Sequence, residues 1–154
     1  HFIGPVQANK TRPIAEHFDW VESLNREKIA RRLNEQRPEA LGKLNVLIEV
    51  NIDGEASKSG VLPKDVPALC DVVQGLDRLK LRGLMAIPAP ADTREGKIKP
   101  LRDMRALYES LRDRYEFDTL SMGMSADHLE ALEAGSTEIR VGTAIFGHRD
   151  YSAK

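Results

Sequence analysis

"SMGMSADHLEALEAGSTEIRVGTAIFG", residues 121–147, reads as a short apolar strand, a Gly-Met-Ser turn, a compact amphipathic helix, a glycine stop and a second strand ending in Gly-Thr. A strand, a helix and a strand in succession make one crossover unit, which places the two strands parallel in one sheet. Both strands end in small residues that expose backbone N–H groups toward one place, and such a place suits an anion. In barrels of alternating strands and helices, phosphate sites form from the loops after the last two strands.

The same alternation extends through the rest of the chain. Strands are predicted at 1–3, 20–24, 44–52, 81–87, 119–122 and 138–141, and helices at 10–18, 26–36, 63–74, 100–115 and 126–134. Ile29 and Leu33, and again Met104, Leu107 and Leu111, recur at helical spacing. Pro63 and Pro100 are expected in first turns, where a missing N–H costs nothing. "LNVLIEV" and "LRGLMAI" are nearly continuous apolar runs, as strands covered on both faces require. Loops are expected at 53–59 and 89–97, after strands and therefore on the ligand-collecting side of a parallel sheet.

These patterns predict an α/β fold, a (β/α)8 barrel of which about six strand–helix units are present. A six-stranded doubly wound sheet is the alternative. The chain opens inside an apolar run at His1, and an open arc exposes two sheet edges. About two further units, on the order of 50–80 residues, are therefore expected upstream of a single domain spanning 1–154.

Composition narrows the function classes. A formal net charge of −1 gives no attraction for nucleic acid or an anionic membrane. Cys70 is alone, so no internal disulfide forms, which fits a reducing, cytoplasmic compartment. No apolar run approaches the ~20 residues of a membrane span. His17, His128 and His148 lack ligand spacing, and no metal site is expected from them. Cys70 in "PALCDVV" reads as a core thiol, and His148-Arg149-Asp150 as a chance match to the kinase tripeptide.

Ser125 is expected to cap the helix that follows it, with Gly142 and Thr143 completing an anion cradle by close backbone approach and a hydroxyl donor. Plain capping and a tight strand exit remain the alternatives. Arg140 shares a strand face with Gly142 by alternation. Its cation must face a ligand, solvent or a buried carboxylate such as Glu49. Met85 and Ile87 alternate onto one face at a strand end, where they either pack on a ligand ring or fill the core.

"HFIGPVQANK", "KSG", "RGLMAIPAP", "SMGMSAD", "GSTEIRVGTAIFG" and "RDYS", in this order along the chain, resemble the pyridoxal phosphate homeostasis proteins, which share the alanine racemase N-terminal barrel. The resemblance implies a non-catalytic protein that carries or buffers pyridoxal 5′-phosphate and affects amino-acid and keto-acid balance. Recipient apoenzymes are its implied partners, and a monomer or weak dimer its expected form. It implies that Ser125, Gly142 and Thr143 hold the phosphate and that Arg140 faces the pyridine nitrogen. Met85 is expected on the ring, and Lys58 near the cofactor phenolate. A permanent cation at the ring nitrogen keeps that nitrogen unprotonated and the ring a poor electron sink. The rival is a racemase or decarboxylase on the same barrel, which needs a second, β-rich domain. The family's Schiff-base lysine lies in a first-strand segment like "VSKT" that has no match here; neither Lys10 nor Lys58 occupies that position.

Overall fold

The computed structural model describes residues 1–148; the "RDYS" match and two residues of the His-Arg-Asp tripeptide lie outside the described residues. The apolar runs pair side by side as β1 (Trp20–Leu24), β2 (Leu44–Glu49), β3 (Leu79–Met85), β4 (Thr119–Met124) and β5 (Glu138–Arg140). They form one sheet in sequential order, and every pairing is parallel. This is an α/β half-barrel. The strand expected at 1–3 contributes a single parallel bridge, Phe2 to Val21, so five strands are present among the described residues rather than six. Gly4 and Pro5, so soon after the bridge, leave little chain for a second ladder contact.

Four helices return the chain from one strand to the next, one leads into β1 and one follows β5. They are α1 (Thr11–His17), α2 (Glu27–Gln36), α3 (Val66–Gln74), α4 (Arg94–Tyr115), α5 (His128–Glu133) and α6 (Thr143–Phe146). Short 3-10 turns precede α1 and α3. Two expectations fail at α4. The helix begins at Arg94, inside the stretch expected to be a loop, and Pro100 lies in its interior. The Thr93 hydroxyl caps it by accepting the Gly96 N–H at 3.1 Å. Ile98 and Leu101 on either side of the proline are fully buried. Each such burial stabilises by about 1.5–3 kcal/mol, enough to offset the ~3 kcal/mol cost of an interior proline.

One sheet face carries Leu24, Ile48, Leu84 and Leu120, packed with α2, α3 and α4 through Ile29, Leu33, Val73 and Met104 in one apolar cluster. The other face is different. Glu49 pairs in register with Met85, Met85 with Ser121, and Ser121 with Glu138, so these four side chains form one layer on the concave side. Gly83 is required between β3 and β4, since a Cβ there would lie 1.8 Å from the Thr119 carbonyl oxygen.

Candidate functional site

The β4 and β5 exits meet. Ser125 does not cap α5: Asp127 precedes that helix, and its carboxylate accepts the Met124 N–H at 2.7 Å. Freed from that role, the Ser125 hydroxyl oxygen accepts the N–H groups of Gly142 and Ala144, each at 3.3 Å. Among the described residues, a Cβ added at Gly142 would meet nothing within 4 Å. Thr143 begins α6 beside them and is exposed. The Lys97 ammonium donates to the Ala126 carbonyl at 3.0 Å, tying the first turns of α4 to this loop.

Arg140 points inward from β5, its side chain 7% exposed. Its Nη1 donates to the Ser121 hydroxyl on β4. Its Nη2 donates to the Ala86 carbonyl at the end of β3, at 3.0 Å. The carboxylate nearest to it is Glu22 on β1, 3.9 Å away, rather than Glu49, which accepts instead from the Asn25 amide at 2.8 Å. Ser121 donates to Glu22 Oε2 at 2.7 Å, a bond that spans the concave side of the arc. The other Glu22 oxygen meets the His1 ring at 2.8 Å, and that ring lies 3.2 Å from Glu138.

Three acids and one arginine therefore share a poorly solvated space. Burial, and then the hydrogen bond and charge of Glu22, push the Glu138 carboxyl up to about 7, with Arg140 opposing. Burial also raises Glu49, against Asn25 and Arg140. It lowers the Arg140 guanidinium, which Glu22 and Glu138 pull back up. His1, Glu22 and Glu138 lie close enough to ligate one cation, but they stand at hydrogen-bond distances from one another and beside Arg140. They are satisfied as an ion and proton network.

Met85 is fully buried and belongs to the same layer as Ser121, whereas Ile87, beyond the strand, is 44% exposed. The Lys58 ammonium pairs with Asp53 at 3.1 Å and donates to the Ile87 carbonyl at 3.4 Å. Lys58 and Arg140 thus hold the adjacent carbonyls of Ile87 and Ala86 at one strand end. Asp53 also accepts the Ala89 N–H at 2.7 Å and locks the two loops together. The loop expected at 53–59 is confirmed as irregular chain. Cys70 is buried and its thiol pushed up to about 12 by burial, the inert core position expected of it.

Glu22, Ser121 and Glu138 were not among the sequence candidates. Each leaves a signal: a polar residue inside an otherwise apolar strand, and for Glu138 a place two residues before Arg140 on the same strand face.

The family described as "Alanine racemase, N-terminal domain" matches residues 1–150. The chain belongs to that family. Its relatives include the "Pyridoxal phosphate homeostasis protein" of Pseudomonas aeruginosa, 56% identical over 153 residues, covering 99% of this chain and 66% of that protein. The protein of the same name from Escherichia coli K12 is 53% identical over 155 residues, covering 100% of this chain and 66% of its own length. The chain thus spans just under two thirds of the curated relatives it matches. Among solved structures, PipY of Synechococcus elongatus PCC7942 without PLP superposes with a TM-score of 0.85 at 32% identity, over 94% of this chain and 68% of that one. PipY with PLP bound superposes at 0.82 and 30% identity, over the same shares. An alanine racemase of Clostridium difficile 630, at 16% identity and a TM-score of 0.77 over 95% of this chain and 38% of that one, shares the fold. No helix among the described residues is long and apolar enough to cross a membrane.

Proposed function

We propose that the chain binds pyridoxal 5′-phosphate and acts without turnover as a carrier or buffer of that cofactor in the cytoplasm. The supporting observation is the convergence of the Gly142 and Ala144 N–H groups on the Ser125 hydroxyl, with open space where a Gly142 side chain would stand. Bonds of 3.3 Å are long for N–H···O, so a phosphate oxygen at the usual 2.9 Å is the better acceptor for both donors. The residues present therefore fit the group. Ser125, Gly142 and Thr143 hold its phosphate, Arg140 lies toward its ring, and Lys58 approaches from the β3 end, while Met85, fully buried in the Ser121 layer, fills the floor beneath the ring. When bound, the cofactor supplies an aldehyde and an electron-withdrawing pyridine ring. Arg140 stays charged and cannot hand a proton to the ring nitrogen, which supports a binder over a racemase or decarboxylase. A monomer or weak dimer that passes the cofactor to apoenzymes completes the proposal.

Titration of the chain with pyridoxal 5′-phosphate, followed by absorbance and equilibrium dialysis, tests it. Saturable binding that inorganic phosphate displaces, with no racemisation of D- or L-alanine, is the expected result. Binding no tighter in the chain than in its Gly142→Val variant would sink the cradle, and alanine racemisation would sink the carrier.

A further inference from the structure

We propose that Ser121 and Glu22 are positioning residues that aim Arg140 at the ring nitrogen of the bound pyridine, so that the site selects a ligand whose ring carries an unprotonated acceptor. This rests on the binding of pyridoxal 5′-phosphate proposed above. A serine hydroxyl has one proton, and Ser121 gives it to Glu22 Oε2 at 2.7 Å. The rotor is thereby fixed with its lone pairs toward Arg140, whose Nη1 donates to it. The second anchor is the Ala86 carbonyl on Nη2. A guanidinium rising from β5 is held at two points, one on β4 and one just past β3, and a planar fork held at two points has a fixed plane.

Two of its five N–H groups are used in these bonds among the described residues. Among the described residues Arg140 Nε takes no hydrogen-bond partner, and it is not one of the fully buried unpartnered atoms, which are Gln36 Oε1 and Asn51 Oδ1. Charge sharpens the selection. Glu22, 3.9 Å away, already balances the guanidinium, and Glu138 and Glu49 stand nearby on the same face. The cation does not need an anionic partner, and it repels a pyridinium. A neutral nitrogen lone pair is the acceptor that suits it. The other Glu22 oxygen meets the His1 ring at 2.8 Å.

The test compares pyridoxal 5′-phosphate with its deaza analogue, in which C–H replaces the ring nitrogen. The intact chain is expected to prefer the nitrogen compound by about tenfold or more, the worth of one charge-assisted hydrogen bond. Ser121→Ala and Glu22→Gln should shrink that preference to roughly twofold or less, and Ser121→Thr, which keeps a hydroxyl, should restore it. Melting of the ligand-free variants reports folding separately. Should Ser121→Ala fail to fold, the Arg140 guanidinium in the intact, ligand-free chain provides the second measurement. Slow rotation, seen as separate Nη resonances by nitrogen-15 NMR, supports the clamp, and one averaged resonance overturns it. A preference unchanged in both variants overturns the positioning role. Equal affinity of the intact chain for both probes also overturns it, while leaving the phosphate cradle standing. If neither probe binds the intact chain, the proposed function falls and this inference with it.

Discussion

The Ser125 hydroxyl lies 3.3 Å from both the Gly142 and the Ala144 nitrogen, so one side-chain oxygen takes two backbone donors from the next strand exit. Gly142 has φ −119°, outside the left-handed region, and no described residue beyond its chain neighbours lies within 4 Å of its missing Cβ. Gly142→Val should therefore leave the ligand-free fold within about 0.5 kcal/mol. Its branched side chain fills the space before the donors, and pyridoxal 5′-phosphate affinity should fall about tenfold or more. Fluorescence titration beside a thermal melt checks both halves; a destabilised fold, or undiminished affinity, contradicts the assignment.

Arg37 is 2% exposed and donates to four carbonyls: Ala15 at 2.8 Å, Phe18 at 2.7 Å, and Leu41 and Gly42 at 3.0 Å. It gathers the end of α1 and the turn before β2 onto one guanidinium. Arg37→Met fills similar volume but strands the carbonyls, and should cost roughly 3–5 kcal/mol of stability. Urea denaturation would show it as a lower midpoint; a loss under 1 kcal/mol would mean that water replaces the guanidinium at little cost.

Arg140 and Glu22 should behave as a unit. Arg140→Gln leaves Glu22 buried without its balancing cation and should cost about 3–5 kcal/mol in the ligand-free protein. Adding Glu22→Gln removes the stranded charge, so the double variant should be more stable than the sum of the two single losses. Additive losses in denaturation would show that the two residues act independently.

Glu138 sets a pH dependence. Its folded pKa, about 7, lies above the ordinary carboxyl value of 4.5, so the folded state holds a proton that the unfolded state has released. The stability it contributes is complete below about 4.5 and is lost as pH rises through about 7. Melting temperature should fall across that window, and Glu138→Gln should flatten the fall. A melt profile identical in the variant would remove Glu138 as the cause.

The strands at 44–52 and 81–87 were legible because burial on both faces writes itself as continuous apolar sequence, and the structure pairs them as β2 and β3. The start of α4 was not. "TREGKIKP" offers one local signal, the Thr93 cap, but is otherwise polar and contains a proline, and the burial of Ile98 and of Leu101 just beyond it is a tertiary effect that local propensity cannot display. At the site, the Ser125, Arg140 and Gly142 positions stood out by residue type. The partner of Ser125 did not, because a hydroxyl before a helix looks like a cap until the neighbouring strand exit is in place. Glu22 was hidden for the same reason. Its partner is on a distant strand, and nothing in "WVESL" names Ser121.

That partnership joins positions 99 residues apart in the chain. Bringing such remote segments together carries a loop-closure entropy that nearby contacts must first offset, so the Ser121–Glu22 bond is expected to close after the local pairing of β2 with β3. On that expectation the Arg140 guanidinium gains its Ser121 anchor late in folding. A chain with only β1 to β3 assembled would hold most of its apolar core and have neither Ser121 nor Arg140 in place; closure of the polar layer, rather than compactness, reports completion of the arc.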